Sequence, residues 1–183
     1  MKKITALMLA VVMMFSLAGC KAEEKASFES AVDLLTAAYE EYDEEERFPI
    51  CGGDMDQSVM DAPGKFDIEK VEELDLTLGL PKSAAEDIDD AASIVHLMNA
   101  NIFTGAAYHL KSGVDAGEFA EEIKGNLMER QWICGSPEIL FVIDSGDGYV
   151  ISLFGETTIA RSFKDNVLGL FQDGEVLVEE TIE

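Results

Sequence analysis

The spacing of apolar and polar residues changes once along this chain, and the change divides it. In "SFESAVDLLTAAYEEYDEEE" the residues Phe28, Val32, Leu35, Tyr39 and Tyr42 recur every three or four positions. That stripe predicts an amphipathic helix, with Ser27 as the residue capping its start and a run of acids after its end. The next stretch, "RFPICGGDMDQSVMDAPGK", is dense in Pro, Gly and Asp and predicts an irregular loop. Helical spacing returns in "FDIEKVEELDLTLGLP" through Ile68, Val71, Leu74 and Leu78, and stops at Gly79 and Pro81. Ser83 and Glu86 have capping-box spacing for one more short helix.

From residue 93 the period shortens. "SIVHLMNA" and "IFTGAAYHLKSG" are apolar runs with β-branched and aromatic residues, and they predict two strands. "VDAGEFAEEIKGNLMERQW" predicts a helix opened by Asp115 and Glu118, with Phe119, Ile123 and Leu127 on one side. "EILFVIDSGDGYVISLFG" predicts a hairpin whose turn is Ser145–Gly146–Asp147–Gly148. "TTIARSFKDNVLGLF" predicts a helix burying Ile159, Phe163, Val167, Leu170 and Phe171, and "GEVLVEETI" a last edge-like strand.

The fold class expected is therefore α+β, an antiparallel sheet covered by helices and preceded by two or three helices. From residue 102 the order is strand, helix, strand, strand, helix, strand. That is the split βαβ, ferredoxin-like order, in which both helices cover one face. Residues 27–92 form a helical N-terminal region with an acidic Gly/Pro loop, and residues 93–183 the α+β domain, with the 93–100 strand added at an edge.

The first twenty residues, "MKKITALMLAVVMMFSLAGC", follow a different logic. Lys2 and Lys3 precede an apolar run over residues 4–15, and small residues close the segment. This is the layout of a secretory signal over residues 1–19. The run is short for a spanning helix, which needs roughly 20 apolar residues. Leu17–Ala18–Gly19–Cys20 resembles the lipobox of bacterial lipoprotein precursors. The resemblance implies cleavage before Cys20, acylation of its thiol, and residues 20–26 as an acylated cysteine with a polar tether. More than one acyl chain anchors firmly, because each buried methylene adds roughly 0.8 kcal/mol. The expected location is extracytoplasmic, held at the bacterial cell membrane by Cys20.

Charge narrows the partners. The whole chain of 183 residues carries a net charge of −24, and losing Lys2 and Lys3 leaves 11 basic against 37 acidic residues, or −26. Such a field repels phosphate backbones, so nucleic-acid binding is excluded. The partners expected are the membrane, through the lipid anchor, and a protein of the cell envelope.

"SIVHLMNANIF", "RQWICGSPE" and "GYVISLFGETTIARSFKDNV" together resemble a family of small bacterial lipoproteins described only as a domain of unknown function. The likeness spans residues 87–171. It implies a surface lipoprotein and brings no catalytic residue with it.

Candidate chemistry is sparse. Cys51 and Cys134 are the cysteines left beside Cys20, and outside the cytoplasm such a pair suggests a disulfide. Two separate thiols are the alternative. A nucleophilic Cys134 needs a base or a positive field, for which Arg130, one helical turn earlier, and the two histidines, His96 and His109, are the candidates. Neither histidine has a partner at short metal-binding spacing. "DMDQS" sets Asp54, Asp56 and Ser58 at the first alternating ligand positions of a calcium loop. Val59 then stands where the tight-turn glycine belongs and Lys65 where the closing glutamate belongs, which leaves Asp54, Asp56 and Asp61 as weak metal candidates. Trp132, Ile133 and Pro137 form an apolar corner that is the preferred binding patch. The expectation is a non-catalytic binding or accessory module without a cofactor. The alternative is a thiol- or metal-dependent enzyme using Cys134 with a histidine, or the 54–61 loop with a cation.

Overall fold

The computed structural model describes residues 27–133 and 135–182. Among them one eight-stranded antiparallel sheet organises the chain. Its strands are β1 (Ile50–Gly52), β2 (Val59–Met60), β3 (Gly64–Lys65), β4 (Ile88–His96), β5 (Phe103–Leu110), β6 (Ile139–Asp144), β7 (Tyr149–Gly155) and β8 (Glu175–Thr181). Across the sheet they lie in the order β2-β1-β4-β5-β7-β6-β8, and β3 also pairs with β4. The helices are α1 (Ala31–Glu40), α2 (Val71–Glu73), α3 (Ala116–Met128) and α4 (Thr157–Gly169). A π-helical turn, Leu74–Leu78, continues α2, and a 3₁₀ helix, Lys82–Asp87, leads into β4.

The α+β class and the antiparallel sheet match expectation; the one-faced helix layer does not. The element order β5-α3-β6-β7-α4-β8 is present, yet β8 pairs with β6 and not with β5. The free side of β5 is taken by β4, its hairpin neighbour in sequence, through seven paired positions from Ile88↔Leu110 to Val95↔Thr104. β5 and β6 run parallel across β7, and β7 and β8 run parallel across β6. Both crossovers step toward the same edge, but their starting strands point in opposite directions. Right-handed crossovers then place α3 and α4 on opposite faces.

Packing follows that geometry. Phe119, Ala120, Ile123 and Leu127 of α3 share one apolar cluster with Leu74, Leu78, Tyr108, Val142 and Val150. Ala160, Phe163 and Val167 of α4 share the other with Leu34, Leu35 and Ala38 of α1 and with Phe103, Phe141 and Ile151. Strands β6 and β7 are buried on both faces, which explains their near-continuous apolar sequences.

The N-terminal region is corrected more heavily. Ser30, not Ser27, caps α1, its Oγ accepting from Asp33 N at 3.2 Å. The stretch read as an irregular loop contains β1, β2 and β3, and the 93–100 strand begins earlier, at Ile88. Position 93 thus lies inside a strand, and residues on both sides of it belong to the same sheet. β1 and β3 share one side of β4, at Cys51↔Val95 and Gly64↔Ser93. Gly52 and Gly64 permit this: a Cβ on Gly52 would lie 2.1 Å from Gly64 N.

The sheet has two ends. At one, the chain arrives at α1 beside Asp90, His109 and Tyr149, and the β6–β7 turn closes. At the other lie the β4–β5 turn, the start of β6 and the acidic residues after α1. Eight residues of β5 separate them, about 26 Å at the usual strand rise.

Candidate functional site

The acidic loop is organised around a lysine. Asp54 is buried, 1% exposed. Its carboxylate accepts from the backbone N–H of Asp56 at 2.9 Å, of Gln57 at 3.2 Å and of Asp67 at 3.2 Å. Lys70 Nζ lies 2.6 Å from both Asp54 Oδ1 and Asp56 Oδ2, and 3.7 Å from Glu73. Burial pushes the Asp54 carboxyl up, but the Lys70 ammonium and the N–H donors outweigh it and hold it below the usual range. The same carboxylates hold the Lys70 ammonium well above its ordinary value. Two of the three weak metal candidates therefore share one ammonium. The third, Asp61, stands apart on the far side of β2, its backbone at φ 58° and its N–H on Ile50 O. Among the described residues no cluster of three or more His, Cys, Asp or Glu has metal-holding geometry.

Cys51 lies half-buried on β1, opposite Met60 and Val95. Burial raises its thiol pKa, which opposes thiolate formation. Cys20 and Cys134 fall outside the described residues, and with them the acylation site and the Cys51–Cys134 pairing.

The histidines occupy opposite ends of the sheet. His96 stacks on Phe48 with centroids 5.6 Å apart and planes 14° from parallel, while its Nδ1 accepts from Met98 N at 3.2 Å. His109 Nδ1 lies 2.5 Å from Asp89 Oδ1, and its ring packs against Tyr149 at 4.8 Å. Asn101 Nδ2 donates to Gly135 O at 2.8 Å and to Ile133 O at 3.5 Å, so Ile133 and Gly135 lie at the His96 end. His109 is a strand length away.

The apolar corner separates into three roles. Pro137 is buried. Trp132 is half-buried, packed on Phe154 at 5.7 Å and under the Arg130 guanidinium at 5.1 Å. Arg130 in turn donates to the carbonyls of Asp75 and Leu76, clamping the end of α3 to the π-helical turn. Ile133 alone stands out, 82% exposed.

A groove of about 620 Å³ opens where α3 starts, lined in part by Lys111, Asp115, Asp144 and Glu175. Its one cation, Lys111, donates to Glu86 O at 2.6 Å.

Sequence reading missed Lys70, Met98 and Asn101. Lys70 meets its acids 14 and 16 residues away, beyond any local motif. Met98 reads as strand continuation, and Asn99–Ala100–Asn101 reads only as the break between two strands, so neither residue stands out as part of a surface. Comparison with known proteins finds no family model that matches the chain, no matching curated protein and no matching solved structure.

Proposed function

We propose that this protein is an extracytoplasmic lipoprotein, anchored through Cys20, that works as a non-catalytic binding or accessory module. The observation that carries the reading is "MKKITALMLAVVMMFSLAGC", whose charged start, apolar run and Leu-Ala-Gly-Cys end agree with one another. Two features of the fold support it. Among the described residues no helix is long and apolar enough to cross a membrane, which is compatible with attachment through an acylated Cys20. The described chain then begins on a firm attachment: Asp90 Oδ2 accepts from Ala31 N at 2.8 Å, and the Tyr149 hydroxyl donates to Phe28 O at 3.4 Å. A short polar tether would thus pull on the sheet itself.

The enzyme alternative has weaker support. Lys70 occupies the carboxylates a cation would need, and burial disfavours the Cys51 thiolate. The test is the full chain expressed in a bacterial host, wild type against Cys20→Ala. Membrane fractionation and intact mass are expected to show an acylated chain in the membrane fraction for the wild type only. An unacylated wild type released from the cells would overturn the anchor.

A further inference from the structure

We propose that the end of the sheet farthest from the chain's arrival at α1 is a docking surface for a cationic, apolar segment of another protein. The inference adds a partner chemistry to the binding-module reading and rests on it, but its geometry does not depend on acylation.

Three apolar side chains stand exposed there: Met98 at 77%, Ile133 at 82% and Leu97 at 38%. They come from separate parts of the chain held together by hydrogen bonds. Leu97 N donates to Pro49 O at 2.9 Å, joining the β4–β5 turn to the segment before β1. Asn101 Nδ2 donates to Gly135 O at 2.8 Å and to Ile133 O at 3.5 Å, joining the same turn to the segment after α3. Beneath them Phe48 packs edge-on against Phe103 at 5.4 Å and flat on His96, so the platform is rigid. A single exposed side chain is ordinary, but apolar side chains converging on a fixed frame mark an interaction surface. Methionine suits such a surface because its unbranched thioether adapts to different partners.

Charge selects the partner. Asp43, Glu44, Glu45 and Glu46 follow α1 directly, all exposed, and lead into Arg47 and Phe48 beside that turn. Among the described residues none of the four acids has an ion-pair partner. The two nearby cations are fixed in place but keep their charge, and four acids against Arg47 leave the run net acidic. Arg47 donates to Tyr42 O and Glu40 O and lies over Tyr39 at 5.7 Å, and Arg130 is spent on the π-helical turn and Trp132. An apolar patch that this net-acidic run adjoins through Phe48 and Pro49 is complementary to lysine- or arginine-rich apolar chain, and the run repels both an anionic lipid surface and a second copy of this acidic protein. A lipid anchor on the far end would hold this surface away from the bilayer.

The experiment uses the full chain in nanodiscs of neutral phosphatidylcholine. The probe is a fluorescein-labelled peptide of alternating lysine and leucine, followed by anisotropy at two salt concentrations. Met98→Ser with Ile133→Ser is expected to weaken binding about tenfold or more. Glu44→Gln with Glu45→Gln is expected to weaken it several-fold and flatten the salt dependence. Asp147→Asn with Glu175→Gln removes the same charge at the opposite end and is expected to change affinity less than about twofold. Equal weakening by the two charge pairs, or no effect of the serine pair, would overturn the proposal, since bulk charge would then explain binding. Serine-sensitive binding to peptide-free neutral vesicles, or serine-sensitive self-association, would also overturn it, by naming lipid or a second copy as the occupant. Failure of the anchor shows separately, as chain that does not co-fractionate with the nanodisc while its peptide binding is still measurable.

Discussion

Lys70 Nζ sits 2.6 Å from Asp54 Oδ1, and the Asp54 side chain has no solvent exposure. Three backbone N–H groups share the same carboxylate, so one side chain organises the segment between β1 and α2. A buried carboxylate tolerates this position because both oxygens accept hydrogen bonds and an ammonium balances the charge.

Asp54→Ala is therefore expected to lower stability by about 3 kcal/mol, because it orphans several buried donors at once. Asp54→Asn keeps the shape but loses the charge, and is expected to fall between. Urea denaturation checks both. The pH dependence follows from the carboxyl's lowered pKa. A group depressed in the folded state stabilises fully above its unfolded value, near 4, and that contribution fades as pH falls through the folded value. Melting temperature should drop less steeply on acidification in Asp54→Ala than in the wild type.

The glycine crossing makes a sharper prediction. A Cβ on Gly64 would lie 2.5 Å from Gly52 C and Gly53 N, backbone atoms that cannot step aside. Gly52→Ala and Gly64→Ala are each expected to cost more than about 4 kcal/mol or to prevent folding. Gly125 is the control. It lies in α3 with nothing within 4 Å of an added Cβ, so Gly125→Ala should stabilise by roughly 0.5–1 kcal/mol. Opposite signs from one chemical change would confirm that the crossing, not glycine content, matters.

Much of the C-terminal half was legible because its signals are local. Asp115 caps α3 by accepting from Glu118 N at 2.9 Å, and the β6–β7 turn falls at Ser145–Gly148, both where the sequence pattern put them; the Ser145 hydroxyl adds a bond from Tyr149 N at 3.0 Å. What could not be read depends on contacts distant in sequence. Whether β8 joins β5 or β6 is decided by β4 having already taken one side of β5, and periodicity within β8 carries no trace of that. β1 and β3 are two or three residues long and held by β4, too short for any alternation to register. Of the apolar corner read from sequence, only Ile133 is exposed. Trp132 and Pro137 look equally apolar in sequence, and the fold alone turns them inward.

The two-faced sheet predicts two separable cores. Phe119→Ala removes a ring that packs on Tyr108 at 5.7 Å on the α3 face, and Phe163→Ala one that packs on Phe103 at 5.0 Å on the α4 face. Each is expected to cost about 3–5 kcal/mol. With the sheet between them and no shared partner, Phe119→Leu and Phe163→Leu should be additive within about 0.5 kcal/mol in a double-mutant cycle. A single-faced helix layer would couple them strongly.

Tyr149 links the chain's arrival to the sheet, and its ionisation reports on that link. Its hydroxyl reaches Phe28 O, its ring packs at a tilt against His109, and its pKa is raised by burial first and then by Asp90, Asp33, Asp89 and Asp147. The phenol is thus kept protonated, and able to donate, to higher pH than a free tyrosine. Asp90→Asn removes the largest charge contribution and should move the Tyr149 transition to lower pH in an ultraviolet titration. It also weakens the acceptor holding Ala31 N at the start of α1. Because a lost helix cap costs about 1 kcal/mol, Asp90→Ala should speed amide exchange at the start of α1 several-fold while the amides of β6 and β7 stay protected. Tyr149→Phe should loosen the segment around Phe28 but leave the Ala31 amide protected, since Asp90 still accepts it. If Asp90→Ala left exchange at Ala31 unchanged, the attachment of α1 to β4 would have to lie in the Leu34 and Leu35 packing alone.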